Sequence, residues 1–255
     1  MKFSTTIISL LLCTSFFCHG IIIESYSIQD FLNYSDQETL AIFDIDNTLT
    51  ELQSSLEIGG HHWFNYLVQE KENAGLSHID ATESILPIHL AIHLQSLLKP
   101  VEKYTPSLIH ELQQKKIKTI ALTARPLILV DRTVEQLLHI DIDFSITPLY
   151  RDILMFNAEY PACHKNGIVF TGYNSKGQTL IAFLDLINYN PKKIVFIDDK
   201  LEYIKSVEKA VEERNIEFIG IHYKRLEEKE KNFDPAKAQQ ELSYFLATGT
   251  LPVIA

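Results

Sequence analysis

Leu40 to Phe43, Ile120 to Leu122 and Ile194 to Ile197 are short apolar runs, and each stops at a polar residue: Asp44, Thr123 and the pair Asp198-Asp199. Strands that are apolar on both faces must be covered on both faces. Helical patterns separate the three runs, which points to a parallel sheet with helices on either side. In such a sheet ligands bind beyond the carboxyl ends of the strands, where the loops gather. Three polar clusters from distant parts of the chain are therefore expected to face one crevice.

The rest of the pattern fits this frame. From Glu51 to Pro100 the alternation stops and two helical patterns follow, 63–72 and 82–98, which read as an insertion. Helices are expected from Thr105 and over 127–139, 177–189 and 201–214, with strands at 118–123, 192–199 and 217–222. A short strand is expected at 143–147, and a hairpin within 148–172 with turns at Pro161 and Asn166-Gly167. The expected fold class is α/β, a doubly wound parallel sheet of the Rossmann-like kind with a small helical cap inserted after the first motif strand. The core would be 21–50 and 101–255, and the cap 51–100. Chain length and a 46% apolar share suffice for one such core.

Residues 1–20 carry a basic start at Lys2, an apolar run from Ile7 to Phe17 and small residues at Cys18 and Gly20, the pattern of a secretory signal peptide cleaved after Gly20. The run is short for a membrane span, so no stable span is expected after cleavage. An exported protein, periplasmic or secreted, follows. Cys13 and Cys18 would leave with the signal, and Cys163 alone cannot form an internal disulfide. The formal net charge of -10 argues against nucleic acid as a partner. Any anionic substrate must be met by local cations.

Asp44 and Asp46 alternate at the end of a strand, so their carboxylates point to the same side. Their repulsion needs an offset, and a bound cation is the first candidate. A polar turn explains Asp44 to Thr48 equally well in isolation. A calcium loop does not, because Leu49 and Ser55 occupy the positions that need glycine and an acid.

In order, Asp44-Ile45-Asp46-Asn47-Thr48, Thr123, Lys176 and Asp198-Asp199 resemble the four motifs of the haloacid dehalogenase superfamily, over roughly 38–222. The resemblance implies the Rossmann-like core and a magnesium-dependent phosphatase acting on a small phosphorylated substrate. It makes Asp44 the nucleophile, passing through an aspartyl-phosphate, and Asp46 the acid and base. Thr123 and Lys176 would bind phosphate, and Asp44, Asp46 (by its main-chain carbonyl), Asp198 and Asp199 would hold Mg2+, with Asp199 favoured as the direct ligand. An aspartate at position 46 favours phosphate over carbon–halogen chemistry, because dehalogenating members lack it. To donate a proton, Asp46 is expected to stay protonated above the ordinary aspartate range, while Asp44 stays ionised.

Other residues are read more plainly. Lys165 competes with Lys176 but sits less well before a helix. Arg125 either orients substrate or a lid, or pairs with a surface acid. Lys200 is expected in solvent. His61 and His62 have poor spacing for one metal and read as a helix start, with Trp63 packed in the lid, and Cys163-His164 reads as an ordinary loop. Two other functions stay open: phosphoryl transfer to an acceptor other than water, and a silent binding protein on the same fold. Substrate identity and oligomeric state are not legible in the sequence.

Overall fold

The computed structural model of the protein describes residues 20–252, so the signal assigned to 1–20 lies, but for Gly20, outside the described residues. In chain order the elements are β1 Ile21–Ser25, β2 Thr39–Phe43, β3 Thr50–Leu52, α1 His61–Asn73, α2 His78–Gln95, β4 Leu98–Pro100, α3 Thr105–Gln114, β5 Lys118–Thr123, α4 Val130–His139, β6 Leu154–Asn157, β7 Pro161–Lys165, β8 Ile168–Phe170, α5 Lys176–Leu186, β9 Lys193–Asp198, α6 Leu201–Glu212, β10 Glu217–Tyr223, α7 Glu227–Lys231 and α8 Pro235–Thr248. An eight-stranded sheet runs in the order β1-β10-β9-β2-β5-β8-β7-β6. Its first six strands are parallel, and β7 and β6 turn back as antiparallel neighbours. This is an α/β fold with a large, mostly parallel central sheet, as the apolar runs require.

Alternation along each strand feeds two cores. Ala41, Phe43, Ala121 and Ile197 pack on one face against Leu108, Leu112 and Leu137 of α3 and α4 and against Ile28 and Phe31 of a short 3-10 turn. Leu40, Ile42, Leu122 and Phe196 pack on the other against Leu180 and Phe183 of α5 and Ile204 and Val207 of α6. Truncating such a fully buried phenylalanine to alanine costs about 3–5 kcal/mol, so the strands that carry the polar ends are firmly anchored.

Several local expectations change. Residues 143–147 form no strand: the Asp143 carbonyl accepts from Gln113 Nε2 at 2.7 Å, and its carboxylate accepts from Ser145 N at 2.7 Å. These side-chain bonds take the place of a ladder. Cys163 and His164 lie in β7, buried, with the His164 ring stacked on Phe183 at 4.9 Å. β7 and β8 are joined through Asn166 and Gly167, both at positive φ, as a tight two-residue hairpin requires.

Residues 51–100 fold as α1 and α2 above a two-stranded antiparallel ribbon, β3 with β4. The C-terminal helix α8 packs on them: Ala238, Leu242 and Phe245 share a cluster with Ile58, Trp63 and Ile92. Asp234 caps its start, and Gly249 ends it at φ 69.

Candidate active site

β2 delivers Asp44 beyond its last residue, where Asp44 N donates to the Ile197 carbonyl of β9 at 3.0 Å. The chain then turns. Leu49 N and Thr50 N both donate to the Ile45 carbonyl, at 3.1 and 2.9 Å, with Asn47 at φ 61. The turn ties itself to the end of β9 through Thr48 Oγ1, which accepts from Asp199 N at 3.1 Å. Lys176 opens α5, whose start is capped by Ser175. Its ammonium donates to Asp44 Oδ1 and, at 2.7 Å, to Asp198 Oδ2. All three are sequestered: Asp44 is 6% exposed, Lys176 1% and Asp198 0%.

One ammonium cannot neutralise two buried carboxylates, and the surplus negative charge sets the electrostatics. Burial pushes Asp44 up to about 7, against the lowering pull of Lys176 and with a further push from Asp198. Burial likewise raises Asp198 to about 6, against Lys176. Burial opposes the charged form of Lys176, yet the two carboxylates win and hold it above the usual lysine range. Asp44, Asp198 and Asp199 each offer a carboxylate oxygen within 4.8 Å of the others. Oxygen donors alone, with excess negative charge, fit a hard divalent cation. Asp199 lines the cavity beside them, whereas Asp198 has both oxygens engaged, by Lys176 and by Lys200 N at 2.8 Å.

Asp46 departs from expectation. Arg125 grips its carboxylate with two parallel bonds, Nε to Oδ2 at 2.8 Å and Nη2 to Oδ1 at 2.7 Å. Burial would raise Asp46, but the guanidinium charge and these bonds outweigh it and hold the carboxyl well below the usual aspartate range. The reading of Asp46 as protonated at rest is thus overturned, because the neighbouring charge is positive. Arg125 is itself placed by Thr133 at 3.1 Å and by Gln136 Oε1 at 2.8 Å, both on α4. Gln136 Nε2 in turn donates to the carbonyls of His93 and Ser96 at 3.1 and 2.9 Å, at the end of α2. A buried amide thus links Arg125 to the end of α2, beside a second bond from Arg132 Nη2 of α4 to the Ser96 carbonyl.

Thr123 stands at the end of β5, its hydroxyl accepting from Arg125 N at 3.1 Å. Asp44, Asp46, Thr123 and Asp199 floor a cavity of about 330 Å³. Above them stand His61 and Phe64 of α1 and His89 and His93 of α2. The structure brings Asp44, Lys176 and Asp198 into contact and sets Asp46, Thr123 and Asp199 around the same opening. Lys165 pairs with Asp131 at 2.5 Å on β7. Lys200 contacts His61 Nδ1 at 3.2 Å at the cavity wall. Trp63 is packed with Ile58, Ile92 and residues of α8, whereas His61 lines the cavity. His89 and His93 also line the cavity, and the one signal of them in the sequence is their spacing of four on one helix.

A family described as "Protein of unknown function (DUF2608)" matches residues 24–249. A protein of Chlamydia trachomatis serovar D, named as a candidate outer membrane protein, is 30% identical over 190 residues, which cover 74% of this chain and 70% of that one. An uncharacterised protein of Rickettsia prowazekii is 27% identical over 237 residues, covering 89% of this chain and 84% of that one. Among solved structures, a haloacid dehalogenase-like hydrolase from Streptococcus pneumoniae aligns at TM-score 0.44 with 14% identity, over 81% of this chain and 98% of that one. A phosphoserine phosphatase carrying a phospho-aspartyl intermediate analogue aligns at TM-score 0.37 with 16% identity, over 78% and 100%. No helix among the described residues is long and apolar enough to cross a membrane.

Proposed function

The chain belongs to the DUF2608 family, and we propose that it is an exported, magnesium-dependent phosphohydrolase that cleaves a small phosphate monoester through phosphorylation of Asp44. One observation carries the reading: a buried nucleophile candidate, Asp44, shares a lysine with Asp198 and opens onto a cavity beside Asp46 and Thr123. Export is supported by the signal-like residues 1–20 and by relatives named as candidate outer membrane proteins.

Held by Asp44, Asp199 and the main-chain carbonyl of Asp46, with Asp198 in support, magnesium would neutralise phosphate oxygens. The side chains supply the rest. Asp44 attacks phosphorus, a new oxygen–phosphorus bond forms, and the bond to the leaving oxygen breaks. Thr123 donates to a phosphate oxygen, and Lys176 favours the ionised form of Asp44 against the opposing effect of burial. A water then attacks the phosphorylated aspartate and gives its proton to ionised Asp46, releasing inorganic phosphate and restoring the Asp44 carboxylate. Aryl oxygens can depart as anions. An alkyl oxygen needs a proton, which Asp46 can carry only when Arg125 loosens its grip.

The test is phosphate release from p-nitrophenyl phosphate by the chain lacking residues 1–20, with and without magnesium. Asp44→Asn is expected to abolish turnover, and Asp46→Asn to slow it while labelled phosphate accumulates on the protein. Magnesium-dependent turnover persisting in Asp44→Asn would falsify the assignment of the nucleophile.

A further inference from the structure

Most cations around the cavity are already spent. Arg125 holds Asp46 with two bonds, and Lys176, 1% exposed, is taken by Asp44 and Asp198. Glu51 on the wall answers Lys99 at 3.5 Å and Lys229. Lys200 differs. It lines the cavity, yet its ammonium contacts no carboxylate among the described residues. Its neighbours are His61 Nδ1 at 3.2 Å and the ring of Tyr203, whose centre lies 5.2 Å away.

Neither neighbour cancels that charge. An ammonium can only donate, so His61 Nδ1 is a lone pair and the ring is neutral, with its proton on Nε2, where the Asn65 amide at 3.0 Å accepts through its oxygen. Burial first, then the charge of Lys200, lowers His61 to about 4, in agreement. A neutral imidazole and an aromatic face thus hold the ammonium in place and leave it as a positive charge for an anion to meet. The topology says which part of a substrate that is. Strand order β10-β9-β2-β5 sets Asp199 and Lys200 on one side of Asp44, and Thr123 and Arg125 on the other. In the proposed reaction the transferred phosphate lies on the Thr123 side, whereas Lys200 reaches up to the first residue of α1 and borders the space left for the leaving group. That space is not closed off. Asn47, Glu51, Leu52, Gly60 and His61 also line a neighbouring recess of about 590 Å³, whose own lysines are paired, Lys99 and Lys229 with Glu51 and Lys237 with Glu57 at 3.5 Å.

We infer that Lys200 is a specificity residue that binds a second anionic group, a carboxylate or a phosphate, on the leaving part of the substrate, with His61 and Tyr203 holding its ammonium in place. The inference rests on the phosphohydrolase reading of the floor. A lysine meets either anion as a point charge, so both fit, and matched substrates tell them apart. Esters with an uncharged leaving group forgo this contact and are disfavoured.

The test uses two matched pairs: 3-phosphoglycerate against glycerol 3-phosphate, which has a hydroxymethyl in place of the carboxylate, and fructose 1,6-bisphosphate against fructose 6-phosphate. In at least one pair the member with the second anion is expected to lead in kcat/KM by at least tenfold. Lys200→Met should cut that lead at least fivefold, mainly through KM, Lys200→Arg should keep part of it, and added salt should shrink it in the unmutated chain. Equal turnover within both pairs overturns the inference, as does a lead that survives in Lys200→Met. So does an equal loss in Lys200→Met on all four esters and on p-nitrophenyl phosphate, which would assign Lys200 to the transferred phosphate. Calorimetry on Asp44→Asn with the same four compounds separates the two readings. Tighter binding there of a doubly anionic member than of its match, without turnover of any ester by the unmutated chain, sinks the phosphohydrolase and keeps Lys200. Turnover of esters with no lead in either pair does the reverse, and neither turnover nor binding sinks both.

Discussion

Replacing Arg125 with methionine tests the link between Asp46 and its clamp. The change removes two bonds to Asp46 and leaves the acceptors on Thr133 and Gln136 without their donor. Breaking a fully buried ion pair costs about 3–5 kcal/mol. Here the Asp46 side chain is 44% exposed and can be rehydrated, so the pair contributes nearer 1 kcal/mol. Unpaired buried acceptors add about 1–3 kcal/mol between them. The sum, about 2–4 kcal/mol, corresponds to a fall in Tm of roughly 5–15 °C for a chain of this size. Kinetics should move the other way for one class of substrate. Without the guanidinium, Asp46 rises toward ordinary aspartate, and each unit of that rise gives about ten times more protonated acid in the neutral range. Turnover of glycerol 2-phosphate, whose alkoxide needs a proton, should therefore gain on turnover of p-nitrophenyl phosphate by about tenfold. Arg125→Lys, which keeps the charge but loses the fork, should give an intermediate ratio. If the ratio stays level while both activities fall, Arg125 serves the phosphate and does not govern the proton on Asp46.

Three further outcomes follow from particular contacts. His93 is lowered to about 4, so between pH 6.5 and 4 the unfolded chain binds a proton that the folded chain refuses. The protein therefore loses stability as pH falls through that window, and urea unfolding at pH 7 and pH 5 should show His93→Gln gaining about 2 kcal/mol relative to the unmutated chain; an unchanged difference refutes the neutral histidine. Magnesium is expected to raise Tm, by about 2.7 kcal/mol of stabilisation at a hundredfold excess over Kd; Asp199→Asn should abolish that rise while sparing the metal-free Tm, whereas Asp198→Asn should lower the metal-free Tm by removing one of the two buried carboxylates that hold Lys176. At Gly177 an added Cβ would lie 2.1 Å from the Ser206 carbonyl oxygen, so Gly177→Ala should force α5 and α6 apart and cost about 1–3 kcal/mol or more in chemical unfolding.

The parts of this fold that could be read in the sequence are those governed by local periodicity. β2, β5 and β9 are apolar on both faces and end in polar residues, so their direction and the edge they share follow from pattern alone. β1 was invisible because Ile21–Ile23 follows an apolar leader and becomes a strand only by pairing with β10, nearly 200 positions away. The state of Asp46 is hidden in the sequence for a similar reason. Its decisive neighbour, Arg125, is 79 residues distant in sequence, and nothing in the local run Asp44 to Thr48 reveals the sign of that charge. His89 and His93 carry a helical spacing, yet the same spacing serves equally well in a plain buried stripe. Only the position of α2 over the cavity decides between the two.

A lid made solely from residues 51–100 would swing on its two connections, the paired strands β3 and β4. Here α8, far along the chain, is locked to those helices by Phe245 and Leu242 in the Trp63 cluster and by Glu241, which accepts from Glu57 N at 2.7 Å and Ile58 N at 3.2 Å. We propose that α1, α2 and α8 act as one unit, whose opening pulls on Gln136 through the His93 and Ser96 carbonyls and so on Arg125. Gln136→Leu cuts that link without touching Asp46. Arg125 keeps Thr133, and Ser96 keeps the bond from Arg132 at 2.8 Å, so the chain should remain folded with a loss of about 1–3 kcal/mol. If lid position and proton availability are coupled, the variant should raise alkyl relative to aryl turnover, as Arg125→Met does, but by less. An unchanged ratio, with Tm lowered as expected, would show that the amide only braces the lid.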